Sequence, residues 1–412
     1  MLPSLEVKEM DVKKQLVEIF KKIPGGLDLL CFINEKKVFL KYGALPVNER
    51  KIIFTNYMGK GFGCNCRPVA LELLRRGVDL DMVWVVSDPE AQRALFPPQI
   101  RLVKYGSEEM MQEYASAKFW VCNYHLVDLF GHGLRKKEGQ CYIQMWHGSF
   151  GIKRQERDVD ALTKDKVWVK FSRMNSQNTD YWISNSRFEN AVYERSFWDV
   201  KNIKEFGHPR NDVFFTPHRE LQRRVRKALG VRDDSCFLLY IPTYRDDMQL
   251  DCYSVDFAAL KAAFEKKTGK PWQIVIRLHP KLIVKAKEFV SDVDYIIDGT
   301  DYPDISDLLA SADAALTDYS SAVFDFMLSG KPAFIFATDI EQYNNDRGFY
   351  YDIFATPFPV AVNNEELVEN VLSFDFESYR RKVMRFLKEK GSFEDGHAAE
   401  RVADLIEEEM KF

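Results

Sequence analysis

The stretch Leu316-Thr-Asp-Tyr-Ser-Ser-Ala-Val-Phe-Asp-Phe326 joins the end of an apolar strand to a hydroxyl-rich turn and the start of a helix. The apolar run that ends at Leu316 predicts a buried strand, and the apolar residues from Val323 onward recur at helical spacing. We therefore predict that a helix begins near Ser320 or Ser321.

The start of such a helix is suited to a phosphate group. The first N–H groups of a helix lack partners within the helix, the helix dipole is positive there, and Ser320 and Ser321 add two hydroxyl donors. The alternative is that one serine only caps the helix. Asp325 lies one turn further along the same face, where it either complements the dipole or accepts hydrogen bonds from a ribose or polyol.

The composition bounds the class of protein. A chain of 412 residues is too long for one ordinary core and predicts two domains. With 58 basic and 62 acidic residues the net charge is −4, so no overall field favours nucleic acid, and an anionic ligand must be held locally. No signal peptide or apolar run of about 18 residues is recognisable. The seven scattered cysteines favour reduced thiols, and we expect a cytoplasmic protein.

Short β-branched or aromatic runs alternate with longer amphipathic stretches, which is typical of an α/β fold. We predict two doubly wound, Rossmann-like domains that face a cleft. The predicted strands lie near 51–56, 82–86, 119–122, 142–145, 181–183 and 203–206 in the first half, and near 237–241, 273–278, 295–297, 314–316 and 333–337 in the second. The predicted parts are an N-terminal amphipathic helix (1–27), an α/β domain (28–217), a linker helix (218–234), a second α/β domain (235–375) and closing helices (376–412).

The first 25 residues interleave apolar side chains with lysines. Val12, Leu16 and Phe20 alternate with residues such as Lys13 and Lys21, which predicts an amphipathic helix. This helix either lies against a membrane surface or packs on its own domain.

Polar and cationic groups follow three strands of the second half. Ligands of open α/β sheets bind outside the carboxyl ends of the strands, so we expect these groups to line one site. A diphosphate needs donors on its oxygens and one or two cations that offset its desolvation. The candidate cations are Arg245, Arg277, His279 and Lys281, and the neutral donors are Thr243, Ser320 and Ser321. Singly, each of these residues is more often solvated or part of a turn.

The first half contributes Gln144-Met-Trp-His-Gly-Ser-Phe-Gly-Ile-Lys-Arg154, another strand end that turns through glycine. His147 lies at its tip beside Gly148, where backbone can approach a ligand closely. An imidazole can take the proton of an attacking hydroxyl, so His147 is a candidate general base; the alternative is a buried histidine bonded to a carbonyl. Arg210 either reaches across the cleft to the phosphates or closes a turn.

Other catalytic signatures are missing. The sequence has no Walker A pattern, dinucleotide fingerprint, nucleophile elbow or His-Glu-x-x-His motif. Cys64 and Cys66 have no second pair at zinc-site spacing. We therefore expect no metal or other cofactor, with side chains and helix ends supplying the positive potential.

Seven motifs occur in a fixed order along the chain. They are Trp146-His-Gly148, Gly207-x-Pro-Arg-Asn-Asp212, Ile241-Pro-Thr-Tyr-Arg-Asp-Asp247, Arg277-Leu-His-Pro280, Asp304-Ile-Ser-Asp-Leu-Leu309, Thr317-Asp-Tyr-Ser-Ser-x-x-Phe-Asp325 and Arg347-Gly-Phe-Tyr-Tyr-Asp352. Together they resemble the CDP-glycerol glycerophosphotransferase family of teichoic-acid and capsule enzymes. The likeness runs from about Lys51 to Glu408, and the chain departs from the family pattern at Met145 and Phe150, where Thr and Pro are more usual.

The resemblance implies a B-type glycosyltransferase-like fold, with the acceptor on the N-terminal domain and the CDP-polyol donor bound by the C-terminal domain. It implies transfer of a glycerol-phosphate or related unit from CDP-glycerol to a hydroxyl of a polymer or lipid-linked primer, releasing CMP. His147 is then expected to be the catalytic base. The expected substrate-binding residues are Gly148, Ser149, Arg210, Pro242, Thr243, Arg245, Arg277, His279, Asp318, Ser320, Ser321 and Asp325.

Two other functions stay open. A nucleotide-sugar glycosyltransferase of the same fold would release a nucleoside diphosphate. A non-catalytic binding module would hold anionic polymer without consuming CDP-glycerol, although the intact set of strand-end groups argues against it. Because known acceptors of the family are lipid-linked, the resemblance also permits a peripheral contact with the inner face of the cell membrane.

Overall fold

The computed structural model describes residues 23–159, 163–243, 245, 253–278 and 293–411. Most of the amphipathic helix predicted for 1–27 therefore lies outside the described residues, and so do His279 and Lys281. Within the described residues, no helix is both long and apolar enough to cross a bilayer.

The first half of the chain forms a parallel sheet of seven strands in the order β3-β2-β1-β4-β5-β6-β7. The strands are β1 (Asn48–Thr55), β2 (Asp81–Val86), β3 (Arg101–Lys104), β4 (Ala117–Cys122), β5 (Cys141–Gln144), β6 (Tyr181–Ser184) and β7 (Ile203–Glu205). The helices are α1 (Gly26–Tyr42), α2 (Cys66–Arg76), α3 (Pro89–Gln92), α4 (Glu108–Ser116), α5 (Val127–Gly131), α6 (Lys166–Asn178) and α7 (Arg187–Ser196). The strand order reverses between β1 and β4, which is where ligands of such sheets bind.

The second half repeats this plan with six parallel strands in the order β10-β9-β8-β11-β12-β13. The strands are β8 (Cys236–Ile241), β9 (Trp272–Ile276), β10 (Ile296–Asp298), β11 (Ala314–Thr317), β12 (Ala333–Phe336) and β13 (Val360–Ala361). The helices are α8 (Arg219–Leu229), α9 (Phe257–Thr268), α10 (Ile305–Ser311), α11 (Ala322–Phe326), α12 (Ile340–Arg347), α13 (Asn364–Leu372), α14 (Phe376–Lys390) and α15 (Ala398–Glu409). Its order reverses between β8 and β11.

The buried parts of the central strands are mostly apolar because helices cover both faces of each sheet. Phe54 and Trp84 of the first sheet pack on one face, and Ile53 and Trp120 pack on the other. All four side chains are fully buried. These cores place the carboxyl ends of both sheets at fixed positions.

The two predicted doubly wound α/β domains are confirmed. All eleven predicted strands are present, with ends that differ by at most three residues. Two edge strands, β3 and β13, are absent from the prediction. Half of β3 is charged and β13 has only two residues, so neither produces an apolar run. The domain boundaries themselves stay predictions, although residues 219–229 of the predicted linker do form α8.

The C-terminal helices join the two domains. Tyr379 and Phe386 of α14 are buried in the second core, whereas Val402 and Ile406 of α15 are buried in the first. The segment between α14 and α15 therefore crosses from one domain to the other, and it carries Glu394 to their junction.

Candidate active site

His147 lies just beyond the carboxyl end of β5. Its Nδ1 is 2.9 Å from the carbonyl oxygen of Asn123, which follows β4. A carbonyl can only accept, so Nδ1 carries the hydrogen and the neutral ring leaves Nε2 as an acceptor. Burial lowers the pKa of His147 to about 3, and the charge of nearby Arg210 acts in the same direction. The ring is therefore neutral near pH 7 and can take a proton at Nε2.

Aromatic rings surround His147 and limit its orientation. The centroid of Trp146 lies 4.5 Å from that of His147, the centroid of Tyr57 lies at 4.7 Å and that of Tyr124 at 5.3 Å. Tyr57 and Trp146 both have backbone φ angles in the left-handed region, 41° and 46°. Residues with side chains rarely adopt this region, and such outliers cluster at functional sites.

The loop after β1, residues 56–65, reaches the same place and is not among the sequence predictions. Asn123 donates from Nδ2 to Oδ1 of Asn56 at 2.8 Å, which joins the loops after β1 and β4. A Cβ atom placed on Gly63 would lie 3.0 Å from Cγ of Asp304 in the second domain. Three glycines at alternate positions, 59, 61 and 63, directly after a predicted strand are the pattern that indicates this loop.

Arg210 and Asp325 form a buried ion pair between the domains, with Nε 2.9 Å from Oδ2. Arg210 also donates from Nη2 to the carbonyl oxygen of Gly148. Burial opposes the charge of Arg210, but Asp325 raises its pKa well above the ordinary value. Two buried opposite charges satisfy each other, and the expected contacts of Arg210 with phosphate and of Asp325 with a substrate hydroxyl stay predictions.

Arg245, which follows β8, forms two ion pairs with aspartates of the second domain. Its Nη1 lies 2.9 Å from Oδ2 of Asp318, and its Nε lies 2.7 Å from Oδ2 of Asp339. The carboxylate of Asp318 in turn accepts the backbone N–H of Thr243 at 2.9 Å. Arg245 and Asp318 are both almost fully buried. These two residues hold the loop after β8, and their expected contact with a substrate stays a prediction.

The loop after β8 still presents a neutral donor. The hydroxyl oxygen of Thr243 is buried, and none of the described residues hydrogen bonds to it. Pro242, before it, is buried and continues the backbone from β8. An unpaired buried hydroxyl is costly, so a ligand oxygen beside Thr243 would relieve that cost.

The helix predicted after β11 begins where expected, with Ser321 as the N-cap of α11. The Ser320 hydroxyl accepts the N–H of Ala322 at 3.3 Å. Ser321 lies against the loop of His147, since a Cβ atom on Gly151 would be 3.0 Å from Cβ of Ser321. The strand-end loops of the two sheets therefore meet.

Arg277, directly after β9, is half-buried and donates from Nη1 to the carbonyl oxygen of Tyr302. No carboxylate of the described chain lies within ion-pair distance of Arg277. Burial lowers the pKa of Arg277, and the charge of Asp304 only partly opposes this. Of the predicted cations that the structure describes, Arg277 is the one suited to a bound anion.

Ser149 and Glu394 belong to a network behind His147. The Ser149 hydroxyl accepts from Nδ2 of Asn185 at 3.0 Å, and Asn185 also donates to Oε1 of Glu394 at 3.1 Å. Asn211 donates to Glu394 Oε1 at 2.7 Å. Burial raises the pKa of Glu394 to about 7. Ser149 and Gly148 thus connect the His147 loop to its surroundings, and their expected contact with substrate stays a prediction.

A sequence profile of the family described as CDP-Glycerol:Poly(glycerophosphate) glycerophosphotransferase matches residues 38–408. The chain belongs to this family. The resemblance expected from the seven motifs is thereby confirmed.

This chain is 30% identical over 379 residues to a teichoic acid poly(glycerol phosphate) polymerase of Staphylococcus epidermidis. The match covers 89% of this chain and 51% of the relative. The chain is 27% identical over 406 residues to the polymerase of the same name from Bacillus subtilis, covering 96% of this chain and 53% of the relative. The chain thus spans about half the length of these curated relatives.

Among solved structures, the wall teichoic acid polymerase TagF superposes with a TM-score of 0.79 and 26% identity, over 94% of this chain and 99% of that chain. A further TagF structure was soaked with CDPG. The likeness confirms the expected B-type glycosyltransferase-like arrangement of the two domains.

Proposed function

We propose that this family member transfers a glycerol-phosphate unit from CDP-glycerol to a hydroxyl group of a teichoic-acid-type polymer or lipid-linked primer, releasing CMP. The observation that carries the proposal is that the loop of His147 meets the strand-end loop of the second sheet, where a Cβ atom on Gly151 would be 3.0 Å from Cβ of Ser321. The bond from Nδ1 of His147 to the Asn123 carbonyl at 2.9 Å leaves Nε2 as the proton acceptor there. The glycerol-phosphate polymerases among the relatives support this donor and acceptor. None of the relatives named above is a capsule enzyme.

The proposed reaction is an in-line displacement at the β-phosphorus of CDP-glycerol. Nε2 of His147 takes the proton as the acceptor oxygen bonds to that phosphorus, and the bond from the β-phosphorus to the bridging oxygen breaks. CMP leaves with that oxygen. Arg277 and the hydroxyl groups of Thr243, Ser320 and Ser321 would hold the diphosphate oxygens. Catalysis of this kind depends mainly on positioning and on stabilising the developing charge.

We further propose that the transfer needs no metal ion or other cofactor. Among the described residues, no three His, Cys, Asp or Glu side chains are grouped so that they could hold a metal. Arg277 offers a positive charge in place of one. The rate is therefore expected to be unchanged after treatment with EDTA. A loss of activity that added Mg²⁺ restores would contradict this part of the proposal.

The test is to incubate the full chain and a primer acceptor with CDP-glycerol, CDP-ribitol and UDP-sugars in turn, and to identify the nucleotide released. CMP from CDP-glycerol, formed only with acceptor, is the expected result. Release of a nucleoside diphosphate would instead indicate a glycosyltransferase. Binding of poly(glycerol phosphate) without release of any nucleotide would indicate a binding module.

We also propose that helix α1 contacts the inner face of the cell membrane. Leu29, Phe39 and Leu40 are 52%, 67% and 83% exposed. Lys36 and Lys37 are exposed on the same helix. Exposed apolar side chains beside lysines suit the interface of an anionic membrane, where the apolar groups enter and the lysines meet the headgroups. Such a contact would bring the active site close to a lipid-linked acceptor.

A further inference from the structure

We propose that Asn65 is a positioning residue for His147. Its side-chain amide joins the loops that follow β1, β5 and β7, and it fixes the backbone that presents the imidazole. The inference deepens the proposed function and rests on it for its kinetic readout. Asn65 touches neither the reacting atoms nor His147 itself, so it would act through the loop and not as a catalytic residue.

The side chain of Asn65 makes three hydrogen bonds, all with backbone of other loops. Nδ2 donates to the carbonyl oxygens of Met145 at 3.1 Å and Trp146 at 3.0 Å. Oδ1 accepts the backbone N–H of Arg210 at 3.1 Å. Asn65 is completely buried, so water does not compete for these groups. Both amide hydrogens are used, and one side chain therefore fixes three chain segments relative to each other.

The peptide held by Asn65 is the one directly before His147. Trp146 has a left-handed backbone with φ 46°, which persists only where the surroundings hold it. Its carbonyl is bound by Asn65, and its N–H donates to Oε1 of Gln144 at 2.9 Å. Both backbone polar groups of Trp146, the residue before His147, are therefore held by side chains in this strained conformation.

The residue after His147 depends on Asn65 through Arg210. Asn65 holds the backbone N–H of Arg210, and the guanidinium of Arg210 donates to the Gly148 carbonyl and pairs with Asp325. Both neighbours of His147 are therefore connected to Asn65. Displacement of a general base by about 1 Å can cost roughly 100-fold in rate, so loss of this amide is expected to act mainly on turnover.

Gln140 provides a matched control. It is buried, donates from Nε2 to the carbonyl oxygens of Tyr114 at 2.8 Å and Ala117 at 2.6 Å, and accepts the N–H of Lys137 at 2.8 Å. It therefore repeats the bonding of Asn65 with two carbonyls and one N–H. Gln140 precedes β5, whereas His147 follows it, so the control lies at the amino ends of the strands and His147 at their carboxyl ends.

The kinetic test compares Asn65→Ala and Gln140→Ala, each alone and with His147→Ala. Asn65→Ala is expected to lower kcat about 10- to 100-fold and to leave KM for CDP-glycerol within about twofold of the wild-type value. Gln140→Ala is expected to lower the melting temperature by about as much as Asn65→Ala does, but to leave kcat within about twofold. In the His147→Ala background, Asn65→Ala should cause no further loss. Equal kcat losses for Asn65→Ala and Gln140→Ala, or full additivity with His147→Ala, would overturn the proposal.

A second variant and a second readout keep the two proposals separable. Should Asn65→Ala fail to fold, Asn65→Leu keeps a similar volume and removes both donors without burying a charge, and the same loss of kcat is expected. Should the wild-type protein release no CMP, the proposed function fails, yet positioning is still measurable by NMR of the His147 ring. Asn65→Ala is expected to shift the His147 resonances, and Gln140→Ala is expected to leave them unchanged. Unshifted resonances in Asn65→Ala would refute the positioning role of Asn65.

Discussion

Arg210 and Asp325 bind each other across the two domains, with Nε of the arginine 2.9 Å from Oδ2 of the aspartate. Arg210 follows β7 of the first sheet, and Asp325 lies in α11 beside the second. The two residues are only 5% and 6% exposed. A charge buried to this extent is stable only with its partner, so the pair holds the loop of His147 against the strand ends of the second sheet.

Replacing Asp325 by Asn should destabilise the protein strongly. The amide keeps the shape of the side chain but leaves the charge of Arg210 buried and unpaired, which typically costs about 3 to 5 kcal/mol. Urea denaturation followed by tryptophan fluorescence measures the change. The control is Asp79→Asn, which breaks the exposed pair of Arg50 and Asp79 and should cost less than about 1 kcal/mol. Equal midpoints for the two variants would contradict the prediction.

Replacing His147 by Ala should reduce turnover and leave donor binding almost unchanged. A general base contributes about 100-fold or more to the rate, and in the proposed reaction His147 meets the acceptor hydroxyl and not the nucleotide. Release of CMP under saturating CDP-glycerol measures turnover, and titration of the donor measures affinity. Turnover equal to that of the wild-type protein would exclude His147 as the base.

The fold could be predicted from the sequence because its main elements produce strong patterns. Strands covered on both faces, such as 82–86 and 237–241, read as continuous apolar runs. The edge strand β3, Arg101–Lys104, does not, because two of its four residues are charged and only one is buried. Its place follows from pairing with β2, which is a tertiary relationship that local sequence does not contain.

The sequence indicated where along the strands the candidate site residues lie, but not which residues they contact. The rule that ligands bind at carboxyl strand ends drew attention to Arg245, Asp318 and Asp325, and all three do follow the ends of β8 and β11. It did not show that Arg245 and Asp318 bind each other, since they are 73 residues apart in the chain. Asn65 was not identified from the sequence for a related reason, because its hydrogen bonds are to backbone groups of distant loops. A polar residue before a helix is also usually interpreted as a helix cap.

Replacing Arg277 by Ala should weaken binding of CDP-glycerol. A charge-assisted hydrogen bond contributes about 1.5 to 3 kcal/mol, so the dissociation constant is expected to rise roughly 10- to 100-fold. Isothermal titration with CDP-glycerol provides the measurement. Arg232→Ala is a suitable control because Arg232 is partly exposed and precedes β8, at the opposite edge of the sheet from Arg277. An unchanged affinity in Arg277→Ala would remove this residue from the donor site.

The pKa of Glu394 should make stability depend on pH. Burial raises this pKa from 4.5 to about 7, so between these values the unfolded state loses a proton that the folded state keeps. The contribution of Glu394 to stability is therefore full below about pH 4.5 and is lost as pH rises through about 7, by up to roughly 3 kcal/mol. Glu394→Gln should lose this slope. Melting temperatures of the wild-type protein and the variant from pH 4.5 to 8 test the prediction, and parallel curves would refute it.

Replacing Leu40 by Glu should weaken binding to anionic vesicles. Leu40 is 83% exposed on α1, where burial of an apolar side chain in the membrane interface would contribute and a carboxylate would be repelled. Co-sedimentation with vesicles containing phosphatidylglycerol, compared with neutral phosphatidylcholine, measures the effect. Met384→Glu is the matched control, since Met384 is 70% exposed but lies on α14 of the second domain. Equal losses in both variants, or undiminished sedimentation of Leu40→Glu, would mean that α1 is not the membrane contact.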